Sequence, residues 1–185
     1  MRAYLYDNIE GDQRLPHDSG VPITPSTLES LGIFIQHIPL SDLPALNALA
    51  SSRAYNNRDE ITVSPESMGP AYEGKMKTFF KEHLHQDEEI RWIVDGKGYF
   101  DVKDDRALVD GTQGSGQWIR IELSKGDLMV LPAGIYHRFA IAETNYIKAV
   151  RLFKDKPQWT HISRSQEVDK SDHRKAYLQS LGTAV

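Results

Sequence analysis

Hydrophobic positions along the chain keep two different rhythms. From Met1 to about Phe80 they recur at helical spacing between turn residues. In "TPSTLESLG", Thr24 is a candidate N-cap, Pro25 fits the first helical position and Gly32 marks the stop. "SDLPALNALASS" opens on Ser41 and repeats Leu43, Leu46 and Leu49, while "EGKMKTFFKEH" sets Met76, Phe79 and Phe80 on one face. Three helices are therefore predicted before residue 83. From His83 to about Lys154 the rhythm changes to segments of four to nine residues, rich in β-branched and aromatic side chains and separated by Gly, Asp and Pro: "EIRWIVDG", "KGYFDV", "QWIRIELSKGD", "LMVLPAG", "HRFAIA" and "NYIKAVRLF". That pattern predicts a mainly β, antiparallel barrel or jelly roll. The polar run from Lys103 to Gln117 reads as a solvated hairpin loop. Near the end, "SDHRKAYLQSL" predicts a last helix capped by Ser171 and packed through Tyr177, Leu178 and Leu181. One domain over 1–185 is expected: a mixed, helical part (1–82), a barrel (83–160) and a tail with its helix (161–185).

Composition narrows the function classes. With 185 residues, 39% of them hydrophobic and 26% charged, the chain can bury one sizeable core. A net charge of -4 and the lack of a basic stripe argue against nucleic acid as a partner. The opening "MRAYLYDNIEGDQR" has no apolar signal region and no window approaches a membrane span, so a cytoplasmic protein without membrane attachment is the expectation. There is no cysteine, which leaves nitrogen and oxygen to bind any metal.

Chemistry is concentrated in "EHLHQDEEIRWIVDG", Glu82 to Gly96. On an extended strand alternate residues share a face, which puts His83, His85, Glu89 and Arg91 on one side and Glu88, Ile90 and Trp92 on the other. Two imidazoles and a carboxylate on one surface suit a divalent first-row metal, although an H-x-H pair alone is equally two exposed histidines at a strand start. A second stretch, "GDLMVLPAGIYHRF", strengthens the metal reading. Gly126, Pro132, Gly134 and His137 are spaced so that a strand, a Pro-Gly turn and a second strand deliver His137 as a further ligand. His17, His37, His161 and His173 read as surface or structurally satisfied histidines. No nucleophile elbow, phosphate loop or dinucleotide fingerprint occurs.

These two stretches resemble the paired motifs of the cupin superfamily, with Lys77 and Ile141 standing where that superfamily commonly has Gly and Asn. The resemblance implies a double-stranded β-helix, a jelly-roll barrel with flanking N-terminal helices and a short C-terminal helix, binding metal in its mouth. Beyond the superfamily, "EHLHQDEEIRWIVDGKGYFDV", "WIRI", "KGDLMVLPAGIYHRF" and "AVRLFKDKPQW" resemble the acireductone dioxygenase family of methionine salvage over nearly the whole chain. That likeness implies metal ligation by His83, His85, Glu89 and His137 and substrate contacts from Arg91, Arg151, Phe79, Phe139 and Trp159. Glu82 could orient the ligands from behind. The implied cofactor is one Fe(II) per chain, with Ni(II) as the alternative metal, and the implied partners are acireductone and dioxygen. A monomer, cytoplasmic and also nuclear, is expected. Two other readings remain at this level: another metal-dependent cupin oxygenase or isomerase, and a cupin module that binds metal without turnover.

Overall fold

A computed structural model describes residues 1–110, 116–155 and 160–183. The chain order is β1 (Arg2–Tyr6), β2 (Asp18–Pro22), α1 (Pro25–Ser30), β3 (Phe34–His37), α2 (Leu43–Ser52), β4 (Asn57–Val63), α3 (Pro65–Met68), α4 (Tyr72–Phe79), β5 (His83–Leu84) and β6 (Glu89–Asp104). It continues with α5 (Ala107–Asp110), β7 (Gln117–Ser124), β8 (Asp127–Leu131), β9 (His137–Ile141), β10 (Ile147–Phe153), β11 (Ile162–Ser163) and α6 (Asp172–Thr183).

Every strand pairing is antiparallel, and β6 belongs to two sheets. Its first half pairs with β8 and β10, in the order β3-β8-β6-β10-β4. Its second half pairs with β7 and β9, in the order β11-β5-β9-β6-β7-β1-β2. "EIRWIVDG" and "KGYFDV" are thus one bent strand of 16 residues. The bend lies at Gly96, which has φ +75° and would drive an added Cβ to 2.2 Å from the Tyr146 carbonyl oxygen. Only glycine meets both demands there.

Side-chain parity sorts the buried residues of the first sheet. Ile93, Met129, Leu131, Ile147 and Ala149 enter the barrel with Phe100, Val102, Ile119, Ile121 and Ile141 from the opposite sheet. Their alternates Ile90, Trp92, Leu128, Val130, Val150 and Leu152 point outward and are covered by Leu46 and Ala50 of α2. β8 is buried on both faces, which is why "DLMVL" reads as an unbroken apolar run. Trp92 keeps its indole N–H satisfied by donating to the Ile38 carbonyl at 3.0 Å.

The predicted caps hold at two helices and shift at a third. Thr24 accepts from the Thr27 amide at the start of α1, and Ser171 accepts from Arg174 at the start of α6. In α2 the cap is Asp42 rather than Ser41, and Leu43 is exposed, so the packing stripe is Leu46 and Ala50. Two expectations need larger correction. The N-terminal part contributes four strands, β1 to β4, besides its helices; they are short, and β2 is wholly exposed, so little apolar alternation marks them. The stretch from Lys103 to Gln117 is no mere solvated loop. Asp104 and Asp105 are buried, Asp104 holds Arg106 at 2.7 Å, and Asp105 pairs with buried Arg174 of α6. Its residues 111–115 lie outside the described residues.

Candidate metal centre

β5, β6 and β9 bring the centre together. His83 stands directly opposite His137 in the β5–β9 register, and β6 begins at Glu89 after a bend that follows His85. The expected single extended strand is therefore broken between His85 and Glu89, yet the face assignment survives: Glu89 and Arg91 look inward while Ile90 and Trp92 look outward. Behind β9, the Pro132–Gly134 turn is held by α6, where Arg174 donates to the Gly134 carbonyl at 3.1 Å. Gly134 has φ +81° and would place a Cβ 2.4 Å from the His173 carbonyl oxygen, so the helix can approach only a bare backbone.

Each imidazole is fixed by its Nδ1. His83 Nδ1 lies 2.8 Å from the Lys81 carbonyl, His85 Nδ1 2.8 Å from that of Thr160, and His137 Nδ1 3.1 Å from that of Ile135. Carbonyl oxygens only accept, so each Nδ1 carries the proton and a neutral ring has its Nε2 lone pair free. Ligand atoms of the three rings all lie within 4.8 Å of one another. Glu89 Oε2 sits 2.8 Å from His137 Nε2 and 3.5 Å from His85 Nε2. Carboxylate oxygen and imidazole lone pair are both acceptors, and neither buried atom has a hydrogen-bond partner among the described residues. With neutral rings, electron pairs from nitrogen and oxygen converge there. A divalent cation resolves that arrangement, so the residues fit a metal on their own geometry.

Protonation tendencies agree. Burial, aided by neighbouring His137, pushes His83 down to about 3 and also lowers His85, against the pull of Glu89. For Glu89 burial works upward, but Arg91, then His137 and His85, outweigh it and hold the carboxyl well below its usual range. Burial thus favours the neutral form of His83 and His85, and Arg91 the ionised form of Glu89, as coordination requires.

The centre opens into a cavity of about 160 Å³. Phe79, Phe139, Phe100, Ile93 and Ile147 form much of its apolar wall, and Arg91 and Arg151 face in from adjacent strands, directly opposite each other in register. Arg91 donates to Glu89 at 2.8 Å, and Arg151 is bidentate to Asp59 at 2.7 and 2.6 Å. Two guanidiniums side by side over a buried apolar wall suit an anionic, partly apolar ligand. Trp159 lies outside the described residues. Glu82 does not reach an imidazole: it pairs with Arg164 at 2.9 Å, and backbone carbonyls take all three Nδ1 protons.

Two residues escaped the sequence reading. Asp59 shares a face of β4 with Ile61 and Val63, an alternation legible in "NRDEITV" had that segment been read as a strand. His161 lines the cavity and stacks on His83 with ring centroids 3.8 Å apart and planes at 17°, contrary to its expected surface or satisfied place. Nothing in its spacing announced it. The other three behave as expected: His17 is satisfied by Asp7 and the Asp12 carbonyl, His37 is exposed beside Asp127, and His173 is exposed.

Fold and centre together define a metal-binding cupin barrel. The chain belongs to the ARD/ARD' family, whose model matches residues 2–161. It is 56% identical over 181 residues, 98% of this chain and 96% of the relative, to a protein of Emericella nidulans named acireductone dioxygenase. It is 53% identical over the full length of both chains to acireductone dioxygenase 1 of Coprinopsis cinerea. Among solved structures it resembles an acireductone dioxygenase from Bacillus anthracis that holds a cadmium ion in its active centre. That likeness has a TM-score of 0.65 at 21% identity, covering 87% of this chain and 96% of that one, and it supports the cupin fold.

Proposed function

We propose that this chain is an iron-dependent acireductone dioxygenase that cleaves 1,2-dihydroxy-5-(methylsulfanyl)pent-1-en-3-one with dioxygen to 4-methylsulfanyl-2-oxobutanoate and formate. The observation that carries it is the set of three Nε2 lone pairs and one carboxylate oxygen converging at the foot of a cavity lined by two guanidiniums. His83, His85, Glu89 and His137 would hold the metal. A divalent ion held by this set would keep one net positive charge and would supply Lewis acidity toward an enediolate.

The chain's own residues do the rest. Arg91 and Arg151 offset the negative charge of the enediolate, and Asp59 keeps the Arg151 fork aimed. Phe79, Phe139 and Ile147 seat the methylsulfanyl arm and exclude water from the electron-rich carbons. The Nδ1 bonds to Lys81, Thr160 and Ile135 keep the three imidazoles oriented through the reaction, with each Nε2 turned to the ligand set. With nickel(II) in the same set, the proposed products are 3-(methylsulfanyl)propanoate, formate and carbon monoxide. Both outcomes add the two atoms of dioxygen to the substrate and conserve every other atom.

The test is oxygen uptake on adding acireductone to protein reconstituted with iron(II), with product identification and a Glu89→Ala control. Uptake above the uncatalysed rate, yielding keto acid and formate and lost in the control, is expected. No catalysed uptake at full metal occupancy would leave a cupin metal centre serving another reaction or none.

A further inference from the structure

His161 is a fourth imidazole at the centre, and the metal set as described does not use it. It lies one residue before β11 and one after Thr160, whose carbonyl fixes His85. Its ring covers a face of His83 at 3.8 Å. Its Nε2 is buried and has no hydrogen-bond partner among the described residues. If the ring served only to brace His83, a phenyl ring would do so without leaving a polar atom unsatisfied, which destabilises a fold by ~1–3 kcal/mol. A buried nitrogen in the wall of a ligand cavity instead implies a polar occupant that completes it.

The direction of approach matters. Arg91 and Arg151 face the cavity from the sheet containing β6 and β10, whereas His161 sits beside β5 and β11 in the other sheet. An occupant of the cavity therefore meets cationic donors on one side and a neutral imidazole on the other. That pairing suits a small ligand with oxygens on both flanks of the metal set. We propose that His161 contacts the substrate and helps determine specificity, its Nε2–H donating a hydrogen bond to an enediolate oxygen of bound acireductone. This inference rests on the proposed function above.

The experiment is anaerobic calorimetric titration of acireductone into nickel(II)-loaded wild type, His161→Phe and His161→Gln, with metal content and melting temperature recorded for each. The phenyl ring preserves the stack and removes the nitrogen; the amide restores a donor. His161→Phe is expected to keep one ion per chain and a wild-type melting temperature while binding acireductone about tenfold more weakly, the scale of one lost hydrogen bond. His161→Gln is expected to recover at least part of that loss. Unchanged affinity in His161→Phe overturns the substrate contact, and loss of metal in that variant overturns it in favour of a role in ligation. Oxygen uptake by the iron(II)-loaded wild type, run in parallel, separates the two readings. Turnover with an unaffected His161→Phe variant removes the role of His161 alone, whereas a wild type that neither binds nor consumes acireductone removes both.

Discussion

Strand β6 carries two buried carboxylates, Glu89 and Asp101, that meet opposite fates. Asp101 is closed on every side: Arg120 donates to it at 2.6 and 3.0 Å and Arg138 at 2.8 Å, while the two guanidiniums lie over the rings of Tyr6, Tyr99, Phe80 and Trp118. Arg120 also donates to the Leu15 carbonyl at 2.6 Å, tying the segment between β1 and β2 to the barrel. Glu89 is satisfied on one oxygen only, by Arg91, and its other oxygen faces imidazole lone pairs. Both are ionic clusters around a buried carboxylate, but Asp101 has both oxygens paired with guanidinium donors, whereas Glu89 leaves electron pairs to be completed from outside. Burial of charge alone does not mark function; an arrangement of acceptors without a donor does.

The largest expected effect is at the closed cluster. Asp101→Ala leaves the buried Arg120 guanidinium and the partly buried one of Arg138 without their carboxylate and should destabilise the fold by about 3–5 kcal/mol, read as a shift in the urea midpoint. A shift no larger than that of an exposed control such as Glu66→Ala would show that the cluster contributes nothing to stability. At the open cluster the dependence on metal should reverse the picture. Glu89→Gln supplies an amide that can donate to His137 Nε2 and still accept from Arg91, which offsets part of the lost ion pair, so the apoprotein should be destabilised by less than the Asp101→Ala variant. Wild type should gain ~2.7 kcal/mol at metal concentrations a hundredfold above the dissociation constant, and Glu89→Gln should gain far less at the same concentration. Equal metal stabilisation of both would remove Glu89 from the ligand set. The smallest effect is expected at Glu82, whose partner Arg164 is exposed and which touches no ligand. Glu82→Gln should alter stability by less than about 1 kcal/mol and leave metal affinity within twofold; a tenfold loss of affinity would restore it as a residue that orients the ligands.

The same contrast explains what could be read from the sequence. Period-two alternation carried the barrel strands and the facing of Glu89 and Arg91, because strand parity depends only on local backbone, while the spacing of His83, His85 and His137 pointed to the same cluster although the strand breaks between His85 and Glu89. The cap at Thr24 and the last helix were legible for the same reason. Asp101, Arg120 and Arg138 gave no signal: they lie on three strands, and only the pairing of β6 with both β7 and β9 brings them together. His161 was misplaced because it reaches His83 through β11, a strand of two residues. Strands β1, β3 and β4 escaped because their partners, β7, β8 and β10, stand far away in sequence and supply the order that local propensity does not, and β2 is exposed and pairs only with β1.

The most direct test of the open cluster is calorimetric titration of nickel(II) into metal-free protein at pH 6, in two buffers of different ionisation enthalpy, which yields stoichiometry and proton release together. His83 is held neutral down to about 3 and His85 is shifted the same way, while Glu89 is already ionised. Two ordinary imidazoles would release about 1.5 protons at this pH, whereas His83 should release almost none and His85 less than an ordinary imidazole. One ion per chain is expected, with fewer than about one proton released for each. Failure to bind, or release of two or more protons per ion, would contradict a preformed set in which His83 is neutral and Glu89 ionised before the cation arrives.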